Sequence, residues 1–310
     1  MVMTFCISLI RNLLKGDCMV IVIVGPTGVG KTRLSIMLAH KYNGEVINAD
    51  STQVYRGLDI ATAKVKESEK EGIVHHLIDI CDVSDDYTVF DFQRDCRACI
   101  DDIISRGKTP IIVGGTGLYV KAALYDYQFD LEDKHFDYSN IGDDELYDRL
   151  LSIDPDTSIH RNNRKRVERA LSYYDSTGKL LSSKEKSDKL LYDCLFIGLT
   201  TDRDKLYDRI NKRVDIMVSD GLITEARAIY ESGVRSKAIM TPIGYKELFP
   251  YFSNECDFDS CISLIKQRSR NYAKRQYTWF NNQMDINWFN VNFDCFDNTF
   301  LEVCNFIDVK

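Results

Sequence analysis

Long apolar runs, paired metal-binding cysteines and an excess of basic residues are all missing from this sequence of 310 residues. No run approaches the 18 consecutive apolar residues of a transmembrane helix, so we expect no contact with a membrane. Ten cysteines do not make a disulfide framework in a chain of this size, which predicts reduced thiols and a cytoplasmic protein. The net charge of −7 argues against a protein that coats nucleic acid over its whole surface.

The cysteines also lack the spacing of a zinc site. Cys96 and Cys99 form the only C-x-x-C motif, no second ligand pair accompanies it, and Cys295 and Cys304 are nine residues apart. At helical spacing the first pair continues an apolar stripe that begins at Phe92. We therefore interpret Cys96 and Cys99 as small buried apolar side chains and exclude a zinc finger.

Short apolar runs alternate with helical patterns through the first 124 residues. They predict strands at 19–24, 45–48, 74–80 and 110–113 and helices at 31–42, 88–106 and 116–124. A further strand is predicted at 192–200, with helices at 202–219, 221–232, 243–250, 258–281 and near 297–307. Strands separated by such helices form a parallel sheet with helices on both faces. The predicted domains are an N-terminal extension at 1–18, a core of 19–124 and 192–310, and a helical insertion at 125–191.

A phosphate-binding loop follows the first predicted strand. The stretch GPTGVGKT matches G-x-x-x-x-G-K-[ST] between a strand and a helix, which is the context that this motif needs. Its glycines let backbone N–H groups converge on an anion at the positive end of a helix. The residues assigned to a diphosphate or triphosphate are Gly25, Thr27, Gly28, Val29, Gly30, Lys31 and Thr32. The predicted fold is therefore a P-loop NTPase-like α/β fold, with the Thr32 hydroxyl as a candidate ligand of Mg²⁺.

Two polar residues follow other predicted strands. Asp50 comes after strand 45–48, which we expect beside the P-loop strand, and Thr116 comes after strand 110–113. Because ligands bind at the carboxyl ends of strands in open α/β sheets, both residues are expected near the phosphates. Asp50 is a candidate general base or metal ligand. The alternative for each residue is a structural role as a helix N-cap.

The usual partners of ATP chemistry are weak or missing. A nucleotide hydrolase needs an acidic residue at the end of an apolar strand, and Asp79 in HHLIDI is the one candidate. An arginine-rich lid, as expected of a kinase of this build, is also missing, because the basic residues lie in long predicted helices. The loop is therefore present without clear support for ATP hydrolysis or phosphoryl transfer.

Two basic segments stand out in this acidic chain. Residues 161–169 contain five basic side chains and one acidic one, and residues 266–275 contain five basic side chains and no acidic one. A helix with a solvated basic face would give the same pattern. In an acidic protein, two such segments favour a local surface for the phosphates of a nucleic acid.

Five stretches, in this order, resemble motifs of the tRNA dimethylallyltransferases, also called tRNA isopentenyltransferases, of the bacterial type without a zinc finger. The stretches are DSTQVYRGLDIATAK, HHLID, PIIVGGTGLYVKA, IGYKE and YAKRQYTWF. The likeness runs from about residue 20 to 282. It implies that a dimethylallyl group passes from dimethylallyl diphosphate to N6 of adenosine 37, next to the anticodon, with Mg²⁺ and the donor diphosphate at the P-loop. The implied partner is a tRNA anticodon stem-loop, and we expect a monomer.

The resemblance also implies roles for single residues. Asp50 matches the family's catalytic base and Thr116 the threonine that helps to place the reacting groups. Arg213 matches the diphosphate-binding arginine, with Arg209 in the same helix as the alternative. The implied tRNA contacts are Asp50, Ser51, Thr52, Gln53, Lys165, Arg166, Val167, Glu168, Arg169, Thr241, Gly244, Tyr245, Lys246, Lys274, Arg275, Gln276, Tyr277, Thr278 and Trp279.

Some positions depart from the family's pattern. Ala61 stands where glycine is usual and Val65 where proline is usual, and Asn271 and Asn281 replace residues that are often basic. These departures concern the tRNA contacts rather than the reaction. Two other functions stay open: an adenylate isopentenyltransferase acting on free AMP, ADP or ATP, which would not need both basic helices, and a non-catalytic RNA-binding protein with a P-loop. The intact P-loop and Asp50 argue against the second.

Overall fold

The computed structural model describes residues 19–129, 136–183 and 188–310, and the predicted extension 1–18 lies outside these ranges. The described residues fall into two compact units. The first, which we call the core unit, consists of residues 19–125 and 190–310; the second, which we call the inserted unit, is Asp126–Lys189. Each unit has its own cluster of buried apolar side chains.

The core unit is built on a parallel sheet. Its strands in the described ranges are β1 (Val20–Val24), β2 (Gly44–Asn48), β3 (His75–His76), β4 (Thr109–Val113), β5 (Cys194–Thr200) and β6 (Asn287–Asn290). Their order is β3-β2-β4-β1-β5-β6, and every neighbouring pair is parallel. The strand predicted at 74–80 is only two residues long. It ends there because Leu77 and Asp79 have φ of 59° and 55°, which no extended strand can hold.

Helices account for most of the remaining described residues. They are α1 (Lys31–Lys41), α2 (Val89–Ser105), α3 (Gly117–Leu124), α4 (Asp143–Ile153), α5 (Arg164–Thr177), α6 (Arg203–Ser219), α7 (Leu222–Glu231), α8 (Lys237–Met240), α9 (Phe249–Phe252), α10 (Phe258–Gln283) and α11 (Phe296–Asp308). The helix predicted at 243–250 is wrong, since Gly244 has φ +130° and helical structure begins only at Phe249. Among the described residues, no helix combines the length and the apolar character needed to cross a bilayer.

The side chains of β1 show why helices cover both faces of the sheet. All five residues of this strand are buried, and their side chains point alternately to the two faces. Ile21 and Ile23 pack in the cluster that includes α1 and α11, whereas Val20, Val22 and Val24 pack in the cluster that includes α2 and α3. A continuous apolar strand is typical of a parallel sheet buried on both sides. The predicted α/β fold is confirmed.

Cys96 and Cys99 lie in α2 and face this second cluster. Cys96 is fully buried, and Cys99 packs against the cluster while half-buried. Burial raises the pKa of Cys99 to about 11 and that of Cys96 well above its usual value. Both thiols are therefore protonated at neutral pH, and the interpretation of the pair as buried apolar side chains is confirmed.

The inserted unit is a small helical body. Its helices α4 and α5 pack through Leu146, Leu150, Val167 and Leu171, all of which are almost completely buried. Tyr138 closes one side of this cluster, and its hydroxyl donates to Asp175 at 2.8 Å. The two helices with their apolar stripe thus bury a core of their own.

Candidate active site

The phosphate-binding loop joins the end of β1 to the first turn of α1. Gly25, Gly28 and Gly30 have φ of +139°, +81° and +102°, a region that glycine adopts far more readily than other residues. A Cβ on Gly25 would also lie 2.5 Å from the backbone oxygen of Leu199 in β5. The loop therefore requires glycine, and the free N–H groups at the start of α1 suit it to an anion.

The side chain of Lys31 extends back to the start of this loop. Its ammonium group donates to the backbone oxygens of Gly25 at 2.9 Å and Pro26 at 2.8 Å. Burial and then the charge of Arg213 lower the pKa of Lys31 to about 7, against the opposing effect of the Asp50 carboxylate. In the free protein Lys31 is thus only partly charged at neutral pH. A bound diphosphate would raise its pKa again.

The other predicted loop residues have distinct environments. Val29 is fully buried in the core, so it can offer a ligand only its backbone. Thr32, in the first turn of α1, is exposed, and its backbone oxygen accepts from Ser35 Oγ at 2.8 Å. The Thr32 hydroxyl is therefore open to a metal ion at the loop, as the motif requires.

Two arginines of α6 approach the loop in different ways. Arg213 donates to Thr27 Oγ1 at 3.4 Å and lines a cavity together with Thr27 and Asp50. Arg209 is exposed, donates to the backbone oxygen of Gly28 at 3.2 Å and lies 3.9 Å above the centre of the Phe293 ring. Arg213 is the better placed of the two to reach an anion in the cavity.

Asp50 begins a turn at the end of β2. Its Oδ1 accepts from the backbone N of Thr52 at 2.9 Å and from Thr52 Oγ1 at 2.7 Å. No helix follows in residues 51–57, all of which the structure describes, so the helix N-cap alternative for Asp50 is wrong. The turn fixes one carboxylate oxygen and leaves Oδ2 without a hydrogen-bond partner among the described residues.

Thr116 stands at the N-cap position of α3, but its side chain caps no helix N–H. Instead, Thr116 Oγ1 accepts from the backbone N of Ser51 at 3.1 Å and donates to Ser51 Oγ at 3.3 Å. Thr116 therefore occupies the N-cap position considered for it, but its side chain does not act as the cap. Its hydroxyl fixes the turn that carries Asp50.

The order of the strands corrects one expectation. β2 does not lie beside β1, because β4 pairs with both and lies between them. Asp50 nevertheless lines the same cavity as Thr27 of the P-loop. Gly114 allows the backbone after β4 to approach the end of β2, which Asp50 follows. A Cβ on Gly114 would lie 2.2 Å from the backbone oxygen of Ala49.

The core unit contains a cavity of about 710 Å³ that is lined by some of these residues. Thr27 and Arg213 line it on the phosphate side, and the Asp50 turn lines it as well. Apolar lining residues are Ile210, Val214, Met217, Ile243 and Ile265. A space with cationic, carboxylate and apolar walls suits a ligand that has an anionic head, a reacting centre and a hydrocarbon tail.

Segment 241–246 forms part of the cavity wall through a turn. Thr241 and Lys246 line the cavity, whereas Tyr245 is fully buried. A Cβ on Gly244 would lie 2.9 Å from Ala61 Cβ, so the glycine accommodates the alanine that departs from the expected pattern. The tRNA contact predicted for the Tyr245 side chain is corrected, because that side chain is enclosed by the core.

The C-terminal half of α10 shows two different faces. Lys274, Arg275, Tyr277 and Thr278 are exposed, Trp279 is half-buried and Gln276 is buried. Within the described ranges, neither Lys274 nor Arg275 forms an ion pair, although Arg275 lies 5.7 Å from the centre of the Tyr272 ring. The predicted tRNA contact of Gln276 is corrected as well, since its amide is occupied inside the protein.

Other basic residues of α10 are already paired. Lys266 forms an ion pair with Asp215 at 2.6 Å, and Arg268 forms one with the buried Glu247 at 2.5 Å. Arg270 is half-buried and donates to Asn211 Oδ1 at 2.6 Å. Within the described segment 266–275, the exposed basic residues without an ion pair are therefore Lys274 and Arg275.

In the basic segment of the inserted unit, some of the positive charges are likewise neutralised by ion pairs. Arg161 and Arg164 form ion pairs with nearby acids, namely Asp143, Asp144 and Glu168. Within segment 161–169, all of which the structure describes, the exposed basic residues without an ion pair are Lys165, Arg166 and Arg169. Val167 is 1% exposed and belongs to the core of this unit, which corrects its assignment as a tRNA contact.

Sequence reasoning missed Glu225 in α7. Its carboxylate accepts from three consecutive backbone N–H groups at 3.0 to 3.3 Å, those of Asp59, Ile60 and Ala61. It also accepts from the Tyr245 hydroxyl at 2.7 Å. Glu225 thereby holds the loop that forms the cavity wall at Ala61. No local signal marks it, because its backbone partners are more than 160 positions away in sequence.

The low pKa of Lys31 predicts a pH dependence of anion binding. The ammonium form dominates below pH 7 and is lost above it, whereas the complex with a diphosphate needs the ammonium form. The dissociation constant should therefore rise by up to about tenfold per pH unit between pH 7 and 9. Titration of an organic diphosphate by calorimetry checks this, in a range where the ligand is already ionised. Lys31→Gln should give a flat profile, and a flat wild-type profile would contradict the assignment.

Comparison with known proteins shows the family of the chain. A family model described as IPP transferase matches residues 53–283. A tRNA dimethylallyltransferase of Anoxybacillus flavithermus is 48% identical over 300 residues, covering 94% of this chain and 96% of that protein. The chain belongs to the IPP transferase family. A second tRNA dimethylallyltransferase, of Geobacillus kaustophilus, is 51% identical over 284 residues, covering 88% of this chain and 90% of that protein.

Solved structures of IPP transferases share the fold. A full-length tRNA isopentenylpyrophosphate transferase from Bacillus halodurans is 44% identical with a TM-score of 0.73, covering 94% of this chain and 96% of that one. A eukaryotic dimethylallyltransferase described as acting on tRNA is 34% identical with a TM-score of 0.83, covering 95% of this chain and 80% of that one. The family predicted from the five motifs is confirmed.

Proposed function

We propose that this IPP transferase moves the dimethylallyl group of dimethylallyl diphosphate to N6 of adenosine 37 in tRNA. Family membership carries the reaction class, since the relatives are tRNA dimethylallyltransferases. One structural observation supports the assignment to this site. One cavity is lined by Thr27 of the P-loop, by Arg213 and by Asp50. Lys246 and Arg275 line it as well.

The reaction follows from these positions. The donor diphosphate binds the P-loop, where Lys31 and Arg213 stabilise the negative charge that grows as the C–O bond breaks. The N6 amine of the adenine attacks the carbon that leaves the diphosphate, forming the C–N bond. The Asp50 carboxylate, through its free oxygen Oδ2, takes the proton that the amine loses. Thr116 holds Ser51 and so keeps Asp50 in place.

Mg²⁺ fits the residues at this loop. Among the described residues, no group of three His, Cys, Asp or Glu side chains forms a ready metal cage. The exposed Thr32 hydroxyl, together with diphosphate oxygens and water, matches the way in which Mg²⁺ is commonly held beside phosphates. When bound, the ion would neutralise part of the diphosphate charge.

The acceptor would be the anticodon stem-loop of a tRNA. The exposed cations Lys274 and Arg275 on α10 form a first phosphate-binding surface, and Lys165, Arg166 and Arg169 on α5 form a second. We assign residues 125–191 to a helical insertion domain that contacts the tRNA, and we expect a monomer. Adenosine 37 must leave its stack to reach the cavity, so base flipping is part of binding.

The choice of acceptor tests this function. The protein is incubated with labelled dimethylallyl diphosphate and with either an anticodon stem-loop or AMP, at equal concentrations. Label should enter the RNA and not the nucleotide. Labelled AMP with unlabelled RNA would identify an adenylate isopentenyltransferase, and label in neither would leave an RNA-binding protein without transfer activity.

The two phosphate-binding surfaces predict a salt effect. Changing Lys165, Arg166 and Arg169 to alanine, or Lys274 and Arg275 to alanine, should weaken tRNA binding. The slope of log affinity against log salt should fall by about 0.7–0.9 per lost phosphate contact. Fluorescence anisotropy over a range of salt concentrations measures both quantities.

Lys266→Ala is the matched control for this prediction. It removes one positive charge from α10, as each substitution in that helix does. Because Lys266 is already paired with Asp215 at 2.6 Å, the salt slope of tRNA binding should stay unchanged. The affinity for dimethylallyl diphosphate should also stay unchanged in the variant of Lys165, Arg166 and Arg169, because none of these residues lines the cavity. A tRNA salt slope that does not respond to either variant would mean that these faces are merely solvated.

A further inference from the structure

Gln276 is the buried residue within an otherwise exposed run of α10. It is 5% exposed, whereas Lys274, Arg275, Tyr277 and Thr278 are exposed. Its Oε1 accepts from the backbone N of Thr27 at 2.8 Å, and its Nε2 donates to the backbone oxygen of Gly115 at 3.1 Å. One side-chain amide thus joins the P-loop to the turn between β4 and α3.

Two glycines of that turn leave room for side chains of α10. A Cβ on Gly115 would lie 2.0 Å from Gln276 Nε2, and a Cβ on Gly117 would lie 2.0 Å from the Trp279 ring. Neither neighbour could yield easily, because Gln276 is held at both ends and Trp279 is half-buried. The inner face of α10 therefore sets the position of the β4–α3 turn.

The two ends of the Gln276 amide lead to the two halves of the site. Thr27, at one end, accepts from Arg213 on the diphosphate side. The turn at Gly115, at the other end, carries Thr116, whose hydroxyl holds the Asp50 turn through Ser51. We propose that Gln276 is a positioning residue that keeps the diphosphate site and the general base at a fixed separation.

This role deepens the proposed transfer reaction and rests on it. Transfer requires the leaving oxygen, the donor carbon and the amine nitrogen in line, with the Asp50 carboxylate within reach of the N–H, and a misplacement of about 1 Å can cost about 10²-fold in rate. The amide acts on the reaction through Thr27 and Thr116 and touches neither substrate. A tRNA contact by Gln276 would instead affect RNA affinity.

Gln276→Met tests the two possibilities. Methionine has a similar shape but makes neither hydrogen bond. The variant should lower kcat by about 10- to 100-fold and change the dissociation constant for tRNA by less than about threefold. Hydrogen exchange should become faster in the peptide that contains Thr27, whose N–H loses its acceptor. Gln267→Met makes the same chemical change at an exposed position of α10 that does not line the cavity, so it should leave kcat, tRNA affinity and the exchange of Thr27 unchanged.

A second variant covers a failure of the methionine protein to fold. Gln276→Glu keeps the acceptor for Thr27 N–H but places a carboxylate against the Gly115 oxygen, so kcat should fall while Thr27 stays protected. Reduced tRNA affinity with normal kcat and normal exchange would overturn the proposal. The exchange measurement does not depend on transfer, so it tests the role of Gln276 even if the wild-type protein labels no RNA. A wild-type protein that labels no RNA would overturn only the proposed function.

Discussion

Asp50→Asn should slow transfer to tRNA by about 10²–10⁴-fold, the range for a lost general base. Asparagine can still accept the bonds that Thr52 makes to Asp50 Oδ1, so the turn should persist. It cannot take the proton of the N6 amine. Single-turnover rates at saturating donor and tRNA measure the effect directly, because binding is then no longer limiting.

Asp204→Asn is the control for this experiment. Asp204 is exposed in the first turn of α6 and does not line the cavity, so its loss should leave the single-turnover rate unchanged. Both variants should bind donor and tRNA with near wild-type affinity. A wild-type rate in Asp50→Asn would remove this residue from the chemistry.

The second large effect is expected at Lys31. Lys31→Ala removes a charge that would serve both the bound diphosphate and the departing one, so donor affinity and transfer rate should fall together. The expected loss in kcat is about 10²–10³-fold, as for other groups that stabilise a developing negative charge. Lys41→Ala, at the other end of α1 and paired with Asp308 at 2.9 Å, should have no effect on either quantity. A normal donor affinity in Lys31→Ala would contradict the diphosphate assignment.

The same loop should prefer dimethylallyl diphosphate to ATP. Asp79, the candidate for a hydrolase's acidic residue, is paired with Lys64 at 2.5 Å and does not line the cavity. Asp79 is therefore not placed to activate a water molecule for attack on a γ-phosphate. In a competition assay ATP should displace labelled donor only weakly, and tRNA should not stimulate phosphate release. Displacement at comparable concentration with tRNA-stimulated release would make the loop a nucleotide site.

Local rules explain why much of the fold could be predicted. The P-loop is recognisable because its glycines must adopt positive φ, as Gly28 and Gly30 do at +81° and +102°. β1 and β4 are recognisable because strands buried on both faces must be apolar throughout. Asp50 and Thr116 could be assigned to one edge of the sheet because parallel strands end there together.

What could not be predicted depends on residues far apart in sequence. The position of β4 between β1 and β2 is set by pairing that no single strand encodes. Gln276 looks like part of a basic surface segment until its partners Thr27 and Gly115 are known, 249 and 161 positions away. Arg161 and Arg164 likewise count as free charges until their ion pairs with acids of α4 are seen.

Mapping the product to a single nucleoside tests the central claim most directly. An anticodon stem-loop with adenosine at position 37 and a second one with guanosine at that position are each incubated with enzyme, Mg²⁺ and dimethylallyl diphosphate, and the digested nucleosides are identified by mass spectrometry. We predict N6-(dimethylallyl)adenosine from the first RNA in equal amount to released diphosphate, and no prenylated nucleoside from the second. Prenylation of the guanosine-37 RNA, or of another adenosine in the first, would contradict the account.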